Sequence, residues 1–341
     1  MTDIKMPTIA VIIPAYNAAP YIARAIASIL AQTLPAAEII VVDDGSTDGT
    51  RSVVAGFGDQ VHYIYKTNGG TASAKNIGIK EARSEFICFQ DADDESLPRK
   101  LAILAEAISA CPQAALATGA CLTTYDGRTR RVPPAGWILE GKSGPNIVAD
   151  FFDKYAQEYW LHTNTVIIRR KVFEELGGFR EELATAEDLE MWCRIAGKYP
   201  CAFIDEDVAT YQMDTPGSLL KTQRAPAAFL YSDEEIILRI RPEAREGYRE
   251  FRDVHAKLLA RRFLLIGRCA DAQRALELVG PGQRDFKTKL LSLLARTPSP
   301  IAGSLARGIF NIKAFIRQMC LCTARRNTPR SQRCAGREET M

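Results

Sequence analysis

The stretch Phe86-Ile87-Cys88-Phe89-Gln90-Asp91-Ala92-Asp93-Asp94 joins four apolar residues, through one glutamine, to three carboxylates. A short apolar run that stops at polar residues reads as a strand buried on both faces, as in a parallel sheet covered by helices. Working outward, β-branched runs recur at Ile9 to Ile13, Ile39 to Val42 and His62 to Tyr65. Helical patterns separate them at Tyr21 to Ala31, Thr50 to Gly56 and Thr71 to Ala82. A helix over Lys100 to Ala110 and a strand over Ala114 to Thr118 continue the series. This alternation predicts βαβ units and an α/β domain with a mostly parallel sheet flanked by helices.

Beyond it, Leu122 to Gly144 is rich in Gly, Pro, Arg and Thr and reads as a long surface loop or an irregular hairpin. The pattern then predicts a helix over Ile147 to Tyr155, a strand over Thr165 to Ile168, and a helix over Arg170 to Leu176 closed by Gly177-Gly178. A further helix is predicted over Ala186 to Ala196 and a strand over Ala202 to Ile204. After about Leu220 strand signals cease, which places a boundary near 222 to 226. The reading is therefore a sheet domain over 1–224 and a helical C-terminal extension over 225–341, with a tail disordered from about Arg325.

Charge divides the same way. Residues 1–224 carry 22 Lys+Arg against 29 Asp+Glu, whereas 225–341 carry 22 against 12. A basic back half suits an anionic partner, meaning a membrane surface, nucleic acid or an acidic polymer, unless it is only a solvated helical face. Nine cysteines lack CxxC spacing and nearby histidines, so they predict neither a zinc site nor a disulfide framework, but small buried side chains in a reducing compartment. Ile9 to Ile13 is too short for the apolar core of a signal peptide, and no run reaches the roughly 20 residues of a membrane span. A soluble, cytoplasm-facing chain is expected.

In an open parallel sheet, ligands bind beyond the carboxyl ends of the strands. Here those ends carry Pro14-Ala15-Tyr16-Asn17, Asp43-Asp44-Gly45-Ser46 and Gln90-Asp91-Ala92-Asp93-Asp94. Five aspartates on one rim need a compensating cation or hydrogen-bond donors. Alternate residues of an extended segment project the same way, so Asp91 and Asp93 can approach one ion or its bound phosphate. An all-oxygen set selects Mg²⁺ or Mn²⁺, which complete their shells with water and substrate phosphates. For Asp94 a simple helix cap is the competing reading.

The segments IAVIIPAYNAAPYIARAIASILAQT, EIIVVDDGSTDGT, NGGTASAKNIGI, SEFICFQDADD and AEDLEMWCRIA, in this order from about Pro7 to Tyr211, resemble glycosyltransferase family 2. That resemblance implies a GT-A, Rossmann-like fold and inverting sugar transfer from a nucleotide-sugar. Pro14, Ala15 and Tyr16 match the lining of the nucleoside pocket, and Asp43 matches the carboxylate that accepts from the uracil imide, implying a UDP-linked donor. Lys75 and Asn76 match a basic and amide pair near the donor, usually Arg-Asn. Asp91 matches the ribose and metal-side carboxylate and Asp93 the direct metal ligand, for Mn²⁺ or Mg²⁺. Asp188 matches the general base, with Glu187 holding the acceptor or orienting Asp188. Read alone, Ala186-Glu187-Asp188 is also an ordinary acidic helix start.

The sequence departs from the family in one place. Tyr211 to Ser218 lacks the late histidine, and Asp214, or Ser218 with Lys221, are the candidate replacements. On the acceptor side lie Arg128, Arg130 and Arg131 and the aromatic residues Tyr155, Tyr159 and Trp160, which suit either sugar stacking or packing. Met191 and Trp192 read as core, Phe179 as packing under the acceptor side, and His62, His162 and His255 as surface or hydrogen-bonded, with His162 near the acceptor cleft. From Phe286 to Arg337 there are 11 Lys+Arg and no acid, and Ile301, Leu305, Ile309, Ile312, Ile316 and Met319 recur at helical steps. Such a helix either packs on the domain or lies on an anionic leaflet, placing the protein peripherally at the inner face of the cell membrane.

The expected partners are a nucleotide-sugar donor, a glycan or lipid-linked acceptor and an anionic membrane surface; nucleic acid is not expected. Two other readings stand beside this one. A non-catalytic homologue that binds nucleotide-sugar or glycan would scaffold a membrane assembly. A nucleotidyltransferase would want a Gly-rich, Arg-containing loop after the first strand, which Pro14 to Asn17 is not.

Overall fold

The apolar runs do form one sheet, and the ends of its strands decide where chemistry can be placed. The computed structural model describes residues 7–183, 185–213, 215, 240–297 and 303–306. The strands are β1 Ile9–Ala15, β2 Glu38–Asp43, β3 His62–Tyr65, β4 Phe86–Phe89, β5 Glu95–Ser96, β6 Leu116–Tyr125, β7 Arg128–Val132, β8 Asn146–Ile147, β9 Val166–Arg169 and β10 Cys201–Gln212. Their order is β3-β2-β1-β4-β9-β6-β10-β5, with β7 beside β6 and β8 beside β10. The pairs β1–β2, β1–β4, β2–β3 and β6–β10 are parallel. Strand β9 runs antiparallel to both β4 and β6, so β1, β2, β3, β4, β6 and β10 all point one way with a single reversed strand in their middle.

Helices α1 Ile22–Leu30, α2 Thr50–Ala55, α3 Thr71–Glu81, α4 Lys100–Ala110, α5 Phe151–Gln157, α6 Lys171–Leu176 and α7 Glu187–Lys198 join the strands. Period two along β1 separates its faces. Ile9, Val11 and Ile13 enter a core with Ile22, Ile26 and Ile29 of α1 and Leu101, Leu104 and Ile108 of α4. Ile12 points the other way, toward α3. Each such isoleucine contributes about 1.5–3 kcal/mol through removal from water. Helix α3 approaches closely because Ala72, Ser73, Ala74 and Gly78, small residues, form its buried side. A Cβ on Gly78 would fall 2.4 Å from Ile12 Cγ2.

Two elements differ from the sequence pattern, and a third resolves one of its alternatives. Strand β10 is far longer than Ala202 to Ile204, because Asp205-Glu206-Asp207 interrupts its apolar run without ending the pairing. The register with β6 shifts there, and Arg131 from β7 binds both Asp205 and Asp207. The helix foreseen from Ile147 starts at Phe151, since Asn146 and Ile147 pair with Phe203 and Ala202 instead. The Leu122 to Gly144 region, expected as a surface loop or an irregular hairpin, begins with the β6–β7 hairpin, whose Arg130 binds Glu158.

The chain divides into two compact units, Met1–His255 and Ala256–Met341. In the first, Phe151, Tyr155 and Trp160 pack together, and Tyr155 stacks on Phe251 at 5.5 Å. Tyr155 and Trp160 are buried and so serve packing, while Tyr159 is partly exposed and bonds His255. Cys88, Cys111, Cys121, Cys193 and Cys201 are buried. A helix over Arg245–Leu265 begins in the first unit; the second also contains helices Cys269–Glu277 and Phe286–Ala295. The boundary foreseen near 222 to 226, the replacements Asp214, Ser218 and Lys221, and nearly all of the amphipathic pattern from Ile301 lie outside the described residues. Among the described residues, no helix is long and apolar enough to cross a membrane.

Gly78→Ala should destabilise the protein by about 1–3 kcal/mol through overpacking of α3 on β1, read as a lower denaturation midpoint with an unchanged m-value.

Candidate active site

Strand β4 ends at Phe89, and the next five residues carry the acidic rim over a buried cation. Lys100, from the first turn of α4, is completely buried and donates to Phe89 O (3.0 Å), Ser96 Oγ (3.0 Å) and Gln90 Oε1 (3.3 Å). All three acceptors are neutral. Burial pushes its ammonium down to about 8, against the opposing pull of Cys88 and Asp91. Asp94 is not a helix cap. It is buried, accepting from Asn164 Nδ2 at 2.6 Å and from the Gln212 backbone N–H at 2.8 Å. Burial, then Asp91, pushes its carboxyl up to about 8.

Asp91 and Asp93 are half-buried. Burial raises the Asp91 pKa, Lys75 opposes the rise and Asp188 adds to it. Asp93 is raised by burial and then by Asp91. All three acids of the rim are thus displaced toward the protonated form, as expected of crowded carboxylates short of positive charge. Among the described residues, no three His, Cys, Asp or Glu side chains converge as a complete metal cage. The oxygen-only rim fits a hard divalent cation that takes its remaining ligands from phosphate and water.

The opposite wall is the start of α7. Ala186, the residue before it, adopts a left-handed conformation (φ 58°), which costs a non-glycine residue about 1–2 kcal/mol. Asp188 accepts from Thr163 Oγ1 at 2.9 Å and from the Leu189 N–H at 2.7 Å. Lys75, buried on α3, donates to Glu187 Oε1 at 3.0 Å and lies 5.0 Å from the Phe179 ring centre. Burial alone would lower its pKa, but Glu187, Asp188 and Asp91 outweigh that and hold the ammonium charged. Lys75 therefore acts electrostatically on both walls. Asn76 points elsewhere: it clamps Phe179, accepting from its N–H (2.7 Å) and donating to its carbonyl (2.9 Å).

One short turn, His162 to Thr165, joins the walls. Thr163 holds Asp188, while Asn164 accepts from the Asp91 N–H at 2.7 Å and donates to Asp94. His162 packs against Tyr211, with ring centres 4.2 Å apart. Burial pushes the imidazole down to about 4, Asp188 opposing. Burial also raises the Tyr211 hydroxyl, with Asp91 next.

The third strand end lies beside the first two. Ala15 is the register partner of Asp43. Asp43 is buried and accepts from Tyr63 OH (2.6 Å) and the Ser46 N–H (2.8 Å). Tyr16, just past Pro14 and Ala15, is exposed. Asp44 ties down the loop before α3, binding Lys66 and the N–H groups of Gly69 and Gly70. Gly45 has a φ of 82° and admits no Cβ against Asn68 N.

The structure thus brings Asp91, Asp93, Lys75, Glu187 and Asp188 to one cleft and sets Asp43 with Pro14 to Tyr16 along the same rim. Sequence reasoning missed Lys100, Thr163, Asn164 and Tyr211. For Thr163 and Asn164 the one local signal was the polar His162-Thr163-Asn164-Thr165 between apolar Trp160-Leu161 and Val166.

Between pH about 8 and 10.5 the unfolded chain retains a proton at Lys100 that the folded chain has released, so this lysine makes stability rise with pH across that window. Lys100→Met should remove that component. Cys88, Cys121 and Cys201, pushed up to about 12 by burial, contribute the opposite slope in both proteins. The measurement is the difference between wild type and variant in chemical denaturation at intervals from pH 7.5 to 10.

The profile of Glycosyl transferase family 2 matches residues 10–177. An uncharacterized glycosyltransferase of Rickettsia felis is 32% identical over 211 residues, 60% of this chain and 34% of that protein. Across the Rickettsia relatives the aligned part of the chain spans 27% to 62% of their length. The putative teichuronic acid biosynthesis glycosyltransferase TuaG of Bacillus subtilis is 37% identical over 219 residues, 62% of this chain and 81% of that protein. Among solved structures, S. aureus TarS 1-349 in complex with UDP-GlcNAc superposes with a TM-score of 0.71 at 20% identity, covering 90% of this chain and 92% of that one. The fold is GT-A, and with the profile match and the 37% identity to TuaG over 81% of that protein, the chain belongs to glycosyl transferase family 2.

Proposed function

We propose that this chain is an inverting glycosyltransferase that moves a sugar from a UDP-linked donor to a hydroxyl of a cell-surface glycan or its lipid-linked precursor. The observation that carries the reading is the coupling of Asp188 to the acidic rim through Lys75 and the Thr163-Asn164 turn. Two carboxylate walls on opposite sides of one cleft suit a displacement in which one wall receives a proton and the other faces the leaving group.

In this reading Asp188 takes the proton of the acceptor hydroxyl as that oxygen bonds to the anomeric carbon. The bond from the anomeric carbon to the phosphate oxygen breaks on the opposite face, and its electron pair leaves with the nucleoside diphosphate. Hydrogen bonds to both Asp188 oxygens, from Thr163 and from Leu189 N–H, fix the direction in which the carboxylate can accept. Glu187 orients this corner through Lys75, whose charge also faces the departing diphosphate. Asp93, with Asp91 beside it, would hold Mn²⁺ or Mg²⁺, which neutralises negative charge on the leaving diphosphate when bound. Asp43 accepts from the uracil imide, Asp91 serves the ribose, and Tyr16 offers its exposed ring to the base.

The UDP-GlcNAc complex of TarS supports a UDP-linked donor, and the name of TuaG supports an envelope glycan as acceptor. The acid-free basic stretch from Phe286 to Arg337 supports peripheral docking on the anionic inner leaflet.

The test is release of UDP from a panel of UDP-sugars with Mn²⁺. Asp188→Asn should lower turnover by about 10² to 10⁴-fold while UDP affinity stays within about twofold. Asp93→Ala should remove stimulation by Mn²⁺. Turnover that survives in both variants would sink the assignment, and UDP binding without turnover in the wild type would favour a non-catalytic scaffold.

A further inference from the structure

The proposed mechanism leaves His162 without a role, although it opens the turn that bonds both walls of the cleft. Its Nδ1 accepts the Asn164 backbone N–H at 3.2 Å. A nitrogen that accepts cannot also carry the proton, so the ring is neutral and protonated at Nε2. The backbone around it is equally fixed. His162 O accepts from the Thr165 N–H at 2.9 Å and from Thr165 Oγ1 at 2.8 Å. Tyr211 covers the ring at 4.2 Å. The side chain is half-buried, and its Nε2–H makes no hydrogen bond among the described residues. The residue is thus a preorganised donor held at one end by its own turn.

Its neighbours define the space it faces. The two residues that follow it bond the two walls, Thr163 donating to Asp188 at 2.9 Å and Asn164 accepting from the Asp91 N–H at 2.7 Å, and both Asp188 and Asp93 act electrostatically on the ring. In an inverting transfer the anomeric carbon is bonded to the diphosphate on one side and attacked by the base-activated hydroxyl on the other. A group placed between the metal-side carboxylate and the base therefore lies beside the transferred sugar ring. A neutral N–H suits a hydroxyl better than a phosphate, for which a cation would be the stronger partner.

We propose that His162 is a sugar-binding residue whose Nε2–H donates to a hydroxyl of the transferred sugar, and this rests on the nucleotide-sugar reading of the same cleft. The hydrogen bond selects and orients that sugar and takes no part in holding the nucleotide. His162→Phe removes the donor while keeping a ring against Tyr211, and His162→Gln restores an N–H at similar reach. Affinities of the full chain for UDP, UDP-glucose, UDP-galactose, UDP-N-acetylglucosamine and UDP-N-acetylgalactosamine, measured by calorimetry with Mn²⁺, separate the parts of the ligand. The Phe variant should keep UDP affinity within about twofold and lose about tenfold or more for the UDP-sugar that wild type binds best. The Gln variant should recover most of that loss, with both variants melting near wild type.

Equal loss for UDP and UDP-sugar, no loss for either, or a loss that Gln fails to recover would overturn the assignment while leaving the donor reading intact. Wild-type protein that binds neither UDP nor any of the sugars would instead overturn the donor reading, and the role of His162 with it.

Discussion

Three aspartates within four residues, placed where a buried strand meets a cleft, impose the constraint around which the rest of the site is arranged. Removing a carboxylate from water costs several kcal/mol after relaxation, and neighbouring like charges add to that. The fold answers with different devices at each acid. Asp94 is enclosed by donors from Asn164 and Gln212 and shifted toward its neutral form. Asp91 receives the field of Lys75. Lys100 lies beneath the rim without touching a carboxylate and fixes the backbone from which the rim departs, at Phe89 O and Gln90. Asp93 is compensated by hydrogen bonds from its own backbone N–H and the Thr215 side chain.

The reversed strand makes these devices possible. In a sheet of parallel strands, the carboxyl rim is built only from residues C-terminal to each strand. Strand β9 is antiparallel between β4 and β6, so the residues that precede it reach the same rim. That is how His162 to Thr165 come to lie beside Asp91 to Asp94, although some seventy positions separate them in sequence. A turn entering a strand has fixed ends, and its side chains bridge the rim to the start of α7. The link between the two walls is thus a property of topology: with β9 parallel, the same four residues would fall at the opposite edge.

This explains which parts were legible beforehand. Phe86 to Phe89 and the other apolar runs declared their strands because burial on both faces leaves no polar residue to confuse the pattern. Asp43, Asp91 and Asp93 stood out as acids where such runs stop. Strand β10 was read too short because its bulge carries Asp205, Glu206 and Asp207, and Arg131, the partner of Asp205 and Asp207, comes from a distant hairpin. Lys100 resembled any lysine at a helix start, and nothing local marks it as buried. Thr163 and Asn164 were illegible for a related reason. A hydroxyl and an amide carry no period and no charge, and their importance arises only from the reversed strand. Asn76 was placed with Lys75 near the donor by resemblance, whereas adjacent residues on a helix diverge by about 100°. Lys75 turns to the cleft and Asn76 to the Phe179 backbone.

The start of α7 shows why a structural and a chemical reading of the same acids need not compete. Glu187, Asp188 and Glu190 fill its first turn, where the helix dipole favours negative charge by a few tenths to 1 kcal/mol. Each then has its own partner: Glu187 with Lys75, Glu190 buried between Arg180 and Arg194, and Asp188 with Thr163 and the Leu189 N–H. Of these three acids, Asp188 is the one held by hydrogen bonds without an ion-pair contact among the described residues. A carboxylate held by a hydroxyl and an amide is oriented without being paired to a fixed cation. The dipole keeps three acids together at this terminus, and their partners separate Asp188, the proposed base, from the two acids held in ion pairs.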